Sequence, residues 1–420
     1  MRILLVHCAY LERGGEDAVF EAERELLRAQ GHEVVEHRVT NERVREMGRL
    51  KLAARAIFGV GARRSLARIV RDNGIEVAHF HNTQPLVSPA AFAVARRAGA
   101  AVVHSLHNYR LACPAATRFR GGEGCTECVG LSFAAPAIRH ACYRGSRAAS
   151  AVVAATTAVH RALGTWRKDV DAYIALTGFQ RDLLVRAGLP RERVALVPNF
   201  LARDPGAAVG GARSSVLFVG RLAEEKGVRV LLAAARQLPA GMCVRFVGTG
   251  PLGGEVASAA ASDPRVVAVG VKNPAGVLEE MRRAAVLVVP SLWFEGMPMT
   301  VVEAFASGLP VIASRIGGLE SLVTPGRDGA LAKPNDAAEL ARVVTSTVSD
   351  RRRLLELSAG ARGTFERRFT AAAHHEALRC VYAAAIASRR DGSPLGLPPH
   401  LLEDASVAPA PRVDAPSLSR

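Results

Sequence analysis

Short, nearly uninterrupted apolar runs alternate with longer stretches of helical spacing along almost the whole chain, and no other feature constrains the fold so tightly. Ile3 to Val6, Val77 to Phe80, Ala101 to Leu106 and Tyr173 to Leu176 read as strands of one half. Val216 to Val219, Val244 to Val247, Val266 to Val269, Val286 to Val289 and Pro310 to Ala313 read as strands of the other. Strands apolar on both faces belong to a parallel sheet covered by helices, so the fold class is α/β, twice over. The break falls near Val197-Pro198-Asn199-Phe200, after which Leu201 to Ser215 loses all periodicity, as a linker does. Two Rossmann-like domains are expected, 1–198 and 199–370, each offering the carboxyl ends of its strands to a shared cleft. A helix over 371–388, with Leu378, Val381, Tyr382 and Ala385 on one face, is expected to pack back on the N-terminal domain. Residues 389–420, dominated by Pro, Ser and Ala, are expected to be a disordered tail.

No run approaches the roughly 18 uninterrupted apolar residues of a membrane span. Met1 to His7 reads as a buried first strand rather than a signal peptide, because Glu12, Arg13, Glu16 and Asp17 follow closely. A cytoplasmic location is expected. Lys+Arg 55 against Asp+Glu 39 gives a net charge of +16, which favours acidic partners. Nearly all of that base is arginine scattered through an alanine-rich chain, a pattern that codon bias also produces, and no recognition module accompanies it. Nucleic acid is therefore not an expected partner. Asn41 to Asp72 is the exception to the scatter: Arg43, Arg45, Arg49, Lys51, Arg55, Arg63, Arg64, Arg68 and Arg71 accompany Leu50, Ile57, Phe58, Leu66 and Ile69. A basic amphipathic helix of this kind can lie on an anionic membrane surface, here the inner face of the cytoplasmic membrane; an ordinary solvated helix face is the alternative.

The stretch Pro290 to Pro310 carries the most chemistry. It follows the strand Val286 to Val289, so Glu295 belongs in the loop at that strand's carboxyl end. Pro298 suits a helix's first turn and Gly308 its stop. Glu303 then lies about one and a half turns into the helix. Free backbone N–H groups near Met299 and Thr300, together with the helix dipole, make a seat for phosphate. A carboxylate beside such a seat accepts hydrogen bonds from sugar hydroxyls, although helix capping alone would also place acidic residues here. Upstream, Arg221 and Lys226 follow the strand Val216 to Val219, a planar fork and a mobile point charge suited to a departing diphosphate. In the first half, Gly14 and Gly15 stand between a strand and a helix, where backbone can approach a ligand closely. His107 ends the strand Ala101 to Leu106 at the cleft, where an imidazole can hydrogen-bond a hydroxyl or a sugar; His79 and His81 are expected to lie similarly.

Together these residues resemble the retaining GT-B glycosyltransferases of family 4, over nearly the whole chain to about Ile386, with Glu295 and Glu303 in the E-x7-E arrangement as the strongest element. The resemblance implies a GT-B fold and transfer of a sugar, with retention of configuration, from a UDP or GDP donor to a glycan or lipid-linked hydroxyl acceptor. It also implies that Glu303 binds the ribose, that Glu295 and the backbone around Gly296, Met297, Pro298 and Met299 hold the donor sugar, and that Arg221 and Lys226 grip the diphosphate. Gly14 and Gly15 would approach that diphosphate from the first domain, and His107 would lie near the transferred sugar. Such enzymes usually require no metal or other cofactor for catalysis.

Cys113, Cys125, Cys128 and Cys142 fall in a segment, 107–145, that resembles a cysteine-bearing insertion carried by one subgroup of these transferases. Four thiols, two of them as C-x-x-C, can form a tetrahedral zinc knot that pins an acceptor loop, with His140 as a replacement ligand. Reduced thiols are the alternative, since the cytosol disfavours disulfides. Cys8, Cys243 and Cys380 sit in apolar contexts and read as packing residues. Among rival activities, Gly248-Thr249-Gly250-Pro251-Leu252-Gly253 spells the dinucleotide motif G-x-G-x-x-G, but Pro251 is early for its helix and no acidic residue stands about twenty positions on. Another GT-B activity, such as a nucleotide-sugar epimerase or a phosphorylase, and a non-catalytic, membrane-docked scaffold are the remaining alternatives.

Overall fold

The computed structural model describes residues 1–11, 14–44, 47–59, 61–207 and 215–403. Eight strands belong to the first half: β1 (Arg2–Ala9), β2 (Glu33–Thr40), β3 (Val77–Asn82), β4 (Ala101–Leu106), a small antiparallel pair β5 (Phe119–Arg120) and β6 (Glu123–Gly124), then β7 (Ala172–Ala175) and β8 (Val194–Leu196). Six more form the second half: β9 (Ser215–Val219), β10 (Cys243–Val247), β11 (Val266–Gly270), β12 (Ala284–Val289), β13 (Val311–Ser314) and β14 (Gly329–Ala332). Apart from the β5–β6 pair, they make two six-stranded sheets ordered β2-β1-β3-β4-β7-β8 and β11-β10-β9-β12-β13-β14, with every pairing parallel. Two doubly wound α/β domains of GT-B type result.

The physical cause is the one the apolar runs announce. Ile3, Leu4, Leu5 and Val6 are all fully buried, as are Val286 and Leu287, because helices cover both faces of each central strand. Strand order then decides where ligands fit. In each sheet the chain winds outward on one side of a central strand and then crosses to the other, leaving a crevice at the carboxyl ends of β1 and β3 and of β9 and β12. The loops after β1, β9 and β12 are those that carry Gly14–Gly15, Arg221–Lys226 and Glu295.

Three further strands escape the apolar-run criterion. β2 is an edge strand with most of its residues half-exposed, and β8 and β14 are only three and four residues long. The basic segment 41–72 is not one helix: it divides into a 3-10 turn Asn41–Val44 and the helices Arg49–Phe58 and Ala62–Asp72, parted at Gly59 and Gly61, both at positive φ. Leu66 is fully buried, so much of the apolar stripe serves the core, whereas Leu50 and Phe58 remain exposed.

The C-terminal helix runs over Ala371–Asp391, with Thr370 capping its start by accepting from the Ala373 N–H at 3.2 Å. Leu378, Val381, Tyr382 and Ala385 pack with Ile3, Leu5, Val77 and Val103, so this helix completes the N-terminal domain's core. Each such large apolar side chain contributes about 1.5–3 kcal/mol on burial. The expectation of a disordered tail from 389 is corrected as far as 403. The helix continues to Asp391, and Leu397 and Leu401 are buried in the same core, which anchors a segment whose overall composition is otherwise polar. Positions 404–420 lie outside the described residues. No described helix is long and apolar enough to cross a membrane.

Candidate active site

The crevice of the second sheet gathers the residues that the motifs single out. Gly227, at φ +70°, ends the turn Glu224–Lys226, and a Cβ there would overlap the Pro290 carbonyl; only glycine lets the loop after β9 lie against the loop after β12. The Leu292 N–H donates to the Glu225 carbonyl at 2.9 Å and holds the two loops together. This apposition sets Lys226 Nζ 2.7 Å from Glu295 Oε1, with Ser291 Oγ donating to the same oxygen at 2.7 Å. The Lys226 ammonium also stands 5.2 Å from the Trp293 ring centroid. Glu295 is 5% exposed and Lys226 24%, so the pair is shielded from water. Arg221 is different: its side chain is 62% exposed and bound to Glu225.

The helix after Pro298 spans Met299–Ala306, with Pro298 as its N-cap residue rather than inside its first turn, and Gly308 at φ +64° just past its end. The Met299 and Thr300 N–H groups, at the start of the helix that follows β12, have no intrahelical acceptors. Met297 turns its side chain inward, its sulfur accepting from the Asn199 N–H at 3.1 Å, so this residue offers a ligand only backbone. Glu303 sits on the second turn, half-buried. Burial alone raises its carboxyl to about 7, for among the described residues no cation or donor is arrayed against it.

From the first domain, Gly14 caps the helix Gly15–Ala29, and a Cβ at Gly15 would meet only open space, so access rather than packing is what glycine leaves there. Arg13 lies outside the described residues. Next to these glycines, Glu16 accepts from the Tyr10 hydroxyl at 2.8 Å, and burial pushes its carboxyl up to about 7. It is a candidate that the glycine pattern alone does not reveal. His107 follows β4, half-buried, and its backbone carbonyl lies 3.4 Å from where a Cβ of Gly296 would be, so the two domains meet here. Burial holds the His107 imidazole well below its usual range, and the ring is neutral.

His79 does not share that position: buried in β3, it faces the helices Gly15–Ala29 and Ala371–Asp391. His81, also buried, meets Glu23 on one side and lines a hollow with His107 on the other. His79 Nδ1 lies 2.8 Å from the Tyr382 hydroxyl and 2.9 Å from Glu23 Oε1, and His374 Nε2 lies 3.2 Å from Glu23 Oε2. His81 Nε2 is 3.3 Å from Glu23 Oε1, and its Nδ1 is 2.9 Å from His107 Nε2. A chain of polar contacts thus runs from the C-terminal helix through Glu23 and His81 to His107. Sequence distance hides it, since Glu23 and His374 are 351 residues apart.

The G-x-G-x-x-G segment has a structural explanation. Gly248 is at φ +139° and a Cβ there would overlap the Gly220 carbonyl, while one at Gly250 would crowd the Leu222 backbone. These glycines serve contact with the loop after β9 rather than a dinucleotide. The four insertion cysteines line one hollow together with Arg118, Arg120 and His140.

Comparison with known proteins matches residues 13–204 to the family described as Glycosyltransferase Family 4 and residues 213–350 to Glycosyl transferases group 1. Among curated proteins, D-inositol 3-phosphate glycosyltransferase 1 of Catenulispora acidiphila is 28% identical over 302 residues, 68% of this chain and 67% of that protein. Four further relatives are matched over less than half of their own length. Among solved structures, Anabaena HepE in complex with UDP superposes with a TM-score of 0.64 at 15% identity, covering 91% of this chain and 100% of that one. Sucrose-phosphate synthase from Thermosynechococcus elongatus gives 0.66 at 20% identity, covering 91% and 99%.

Proposed function

We propose that this chain, a glycosyltransferase with a family 4 N-terminal domain and a group 1 C-terminal domain, moves a sugar from a nucleoside diphosphate donor to a hydroxyl of a glycan or lipid-linked acceptor, with retention of configuration. The observation that carries the reading is Glu303: a half-buried carboxyl without a partner among the described residues, beside a helix N-terminus and eight residues beyond the buried Glu295. A group raised to about 7 by desolvation gains most from ligand hydroxyls, and vicinal ribose hydroxyls supply two donors together. Uridine is the preferred base, in keeping with the UDP complexes among the structural neighbours.

In this reading the diphosphate settles against the Met299 and Thr300 N–H groups and draws the Lys226 ammonium away from Glu295. Each partner of the ion pair then has a new task. Lys226 stabilises the charge that grows on the leaving phosphate, and Glu295 accepts hydrogen bonds from the donor sugar. Arg221, exposed and already bound to Glu225, adds a weaker long-range attraction. The catalytic charge comes from protein cations and helix amides, so no metal is required for transfer. His107, neutral, reaches the cleft from the acceptor side, where it positions the incoming hydroxyl or the transferred sugar. The exposed Arg63, Arg64, Arg68 and Arg71, which line one surface hollow, with exposed Leu50 and Phe58 in the preceding helix, would bring the enzyme to an anionic, cytoplasmic membrane face and its lipid-linked acceptors.

The test is a thermal-shift comparison of the wild type and Glu303→Ala with UDP, GDP, ADP and NAD, without added metal. A ligand bound only by the folded state must raise its apparent stability. Selective stabilisation by UDP, much reduced in the variant, is the expected result; GDP in its place would reassign the base. Stabilisation by none of them would overturn the reading in favour of a non-catalytic scaffold. Donor turnover without acceptor would favour an epimerase.

A further inference from the structure

We propose that Cys113, Cys125, Cys128 and Cys142 hold a structural zinc ion, and that this knot braces the first domain's insertion against the Trp293–Glu295 loop of the second. The thiols come from three separate places: the turn after β4, the C-x-x-C that follows the β5–β6 pair, and the end of the short helix Ala135–Arg139. All four line one hollow. His140, the alternative ligand, lies 3.5 Å from Glu127, which leaves four thiols as the natural set.

Arg118 supplies an independent argument. It lines the same hollow and is 2% exposed, yet its Nε and Nη1 are buried without hydrogen-bond partners. A buried guanidinium facing neutral thiols is costly. A dication held by four thiolates is net anionic, and would give this arginine a counter-charge that the other described residues do not provide.

The insertion also has little apolar core to hold its shape. Between 119 and 145 only Ala137 is buried, far too little for an apolar core. Four of the six non-glycine residues at positive φ among those described, Ala116, Arg118, Ala141 and Arg144, nevertheless fall within 113–145. Such conformations persist only where something over-determines them.

What the knot would support is visible next to it. The Arg118 guanidinium lies 4.2 Å from the Phe294 ring centroid, and the Tyr109 hydroxyl donates to the Glu295 carbonyl at 3.0 Å. Gly124, the last residue of β6 and the one before the C-x-x-C, packs so closely on Phe294 that a Cβ would strike the ring. The insertion therefore touches the loop that presents Glu295. The sulfurs stand wider apart than in a filled site: among the described residues, the one set of three or more His, Cys, Asp or Glu with all ligand atoms within 4.8 Å is Glu23, His79 and His81. That set already exchanges contacts with Tyr382, Ser105 and His374. Each cysteine sulfur, by contrast, turns on a single bond, so metal capture requires rotamer changes in loops.

The experiment counts metal in full-length protein purified without chelator and, separately, records the spectrum after cobalt exchange. About one zinc per chain, and a cobalt spectrum with thiolate charge transfer and tetrahedral d–d bands, are expected. Cys125→Ser/Cys128→Ser should lose the metal. Should that variant fail to fold, the cobalt spectrum of the wild type decides alone. Removal of zinc should accelerate amide exchange at Phe294 and Glu295 while UDP still stabilises the protein. Substoichiometric zinc with four freely reactive insertion thiols, or a cobalt spectrum without thiolate bands, overturns the site. Unchanged exchange in zinc-free protein overturns the brace. None of these readouts depends on transferase activity, so the metal site and the proposed function fail separately.

Discussion

The two domains share nearly the same sheet but treat buried charge in opposite ways. In the first, Glu23 is 2% exposed; burial alone would raise its carboxyl, but His79, His81 and His374 overcome this and hold it well below the usual range. In the second, Glu303 meets nothing comparable and rises to about 7. A carboxylate whose partners are all supplied by its own chain is part of the architecture. One left without partners beside a crevice is available to a ligand. Lys226 and Glu295 stand between these cases, satisfied by each other but at a place where a stronger anion can separate them.

Four substitutions would break or sharpen this contrast, from the largest effect to the smallest. Glu23→Ala leaves buried imidazoles without their anion and should cost about 3–5 kcal/mol in denaturant unfolding, with UDP affinity of the folded fraction unchanged. A cost below about 1 kcal/mol would show that the cluster is not architectural. Lys226→Ala should lower kcat by about 100- to 1,000-fold, in line with loss of one preorganised stabiliser of developing charge; turnover near wild type in a steady-state assay would remove Lys226 from the chemistry.

Glu303→Gln should reverse the pattern of Glu23→Ala: folding retained, and UDP binding weakened by about 10- to 100-fold in calorimetry, the value of hydrogen bonds to a charged acceptor. The pH dependence follows from the raised carboxyl. The folded state holds a proton that the unfolded chain releases at the usual carboxylate value, so the wild type loses stability as pH rises from that value through about 7, and the variant lacks this loss. Hydroxyl donors favour the ionised form, so wild-type affinity should fall as pH is lowered through about 7, while the variant's stays flat. Arg221→Ala, which removes an exposed and already paired cation, should change kcat/KM by no more than several-fold, within about 1 kcal/mol. A loss as large as that of Lys226→Ala would show that Arg221 leaves Glu225 when donor binds.

The sheets were legible wherever burial on both faces writes an unbroken apolar run, as in Ile3 to Val6 and Val286 to Val289. They were illegible at β2, where an edge strand mixes Glu, His and Arg with valine, and at β14, whose Gly-Ala-Leu-Ala carries little strand preference. Glu295 and Glu303 could be found because their spacing is local and follows a strand. The pairing of Lys226 with Glu295 spans 69 residues, and the alliance of Glu23 with His374 spans 351, distances over which no periodicity operates. His79 was misplaced for a related reason: a histidine in a strand can face the cleft or a covering helix, and only the packed helices decide. At the C-terminus, Leu397 and Leu401 were hidden by the prolines and polar residues around them.

The return of the C-terminal helix to the first domain bears on how the molecule is made. Ile3, Leu5, Val77 and Val103 leave the ribosome well before Leu378, Val381, Tyr382 and Leu401, which supply part of their cover. The second domain has all of its strands in hand before that helix is synthesised, whereas the first must wait, with one face of its sheet covered only in part by Phe20 and Leu27, while its neighbour is translated. The core of the first domain is therefore complete only once residues 371–401 have been made.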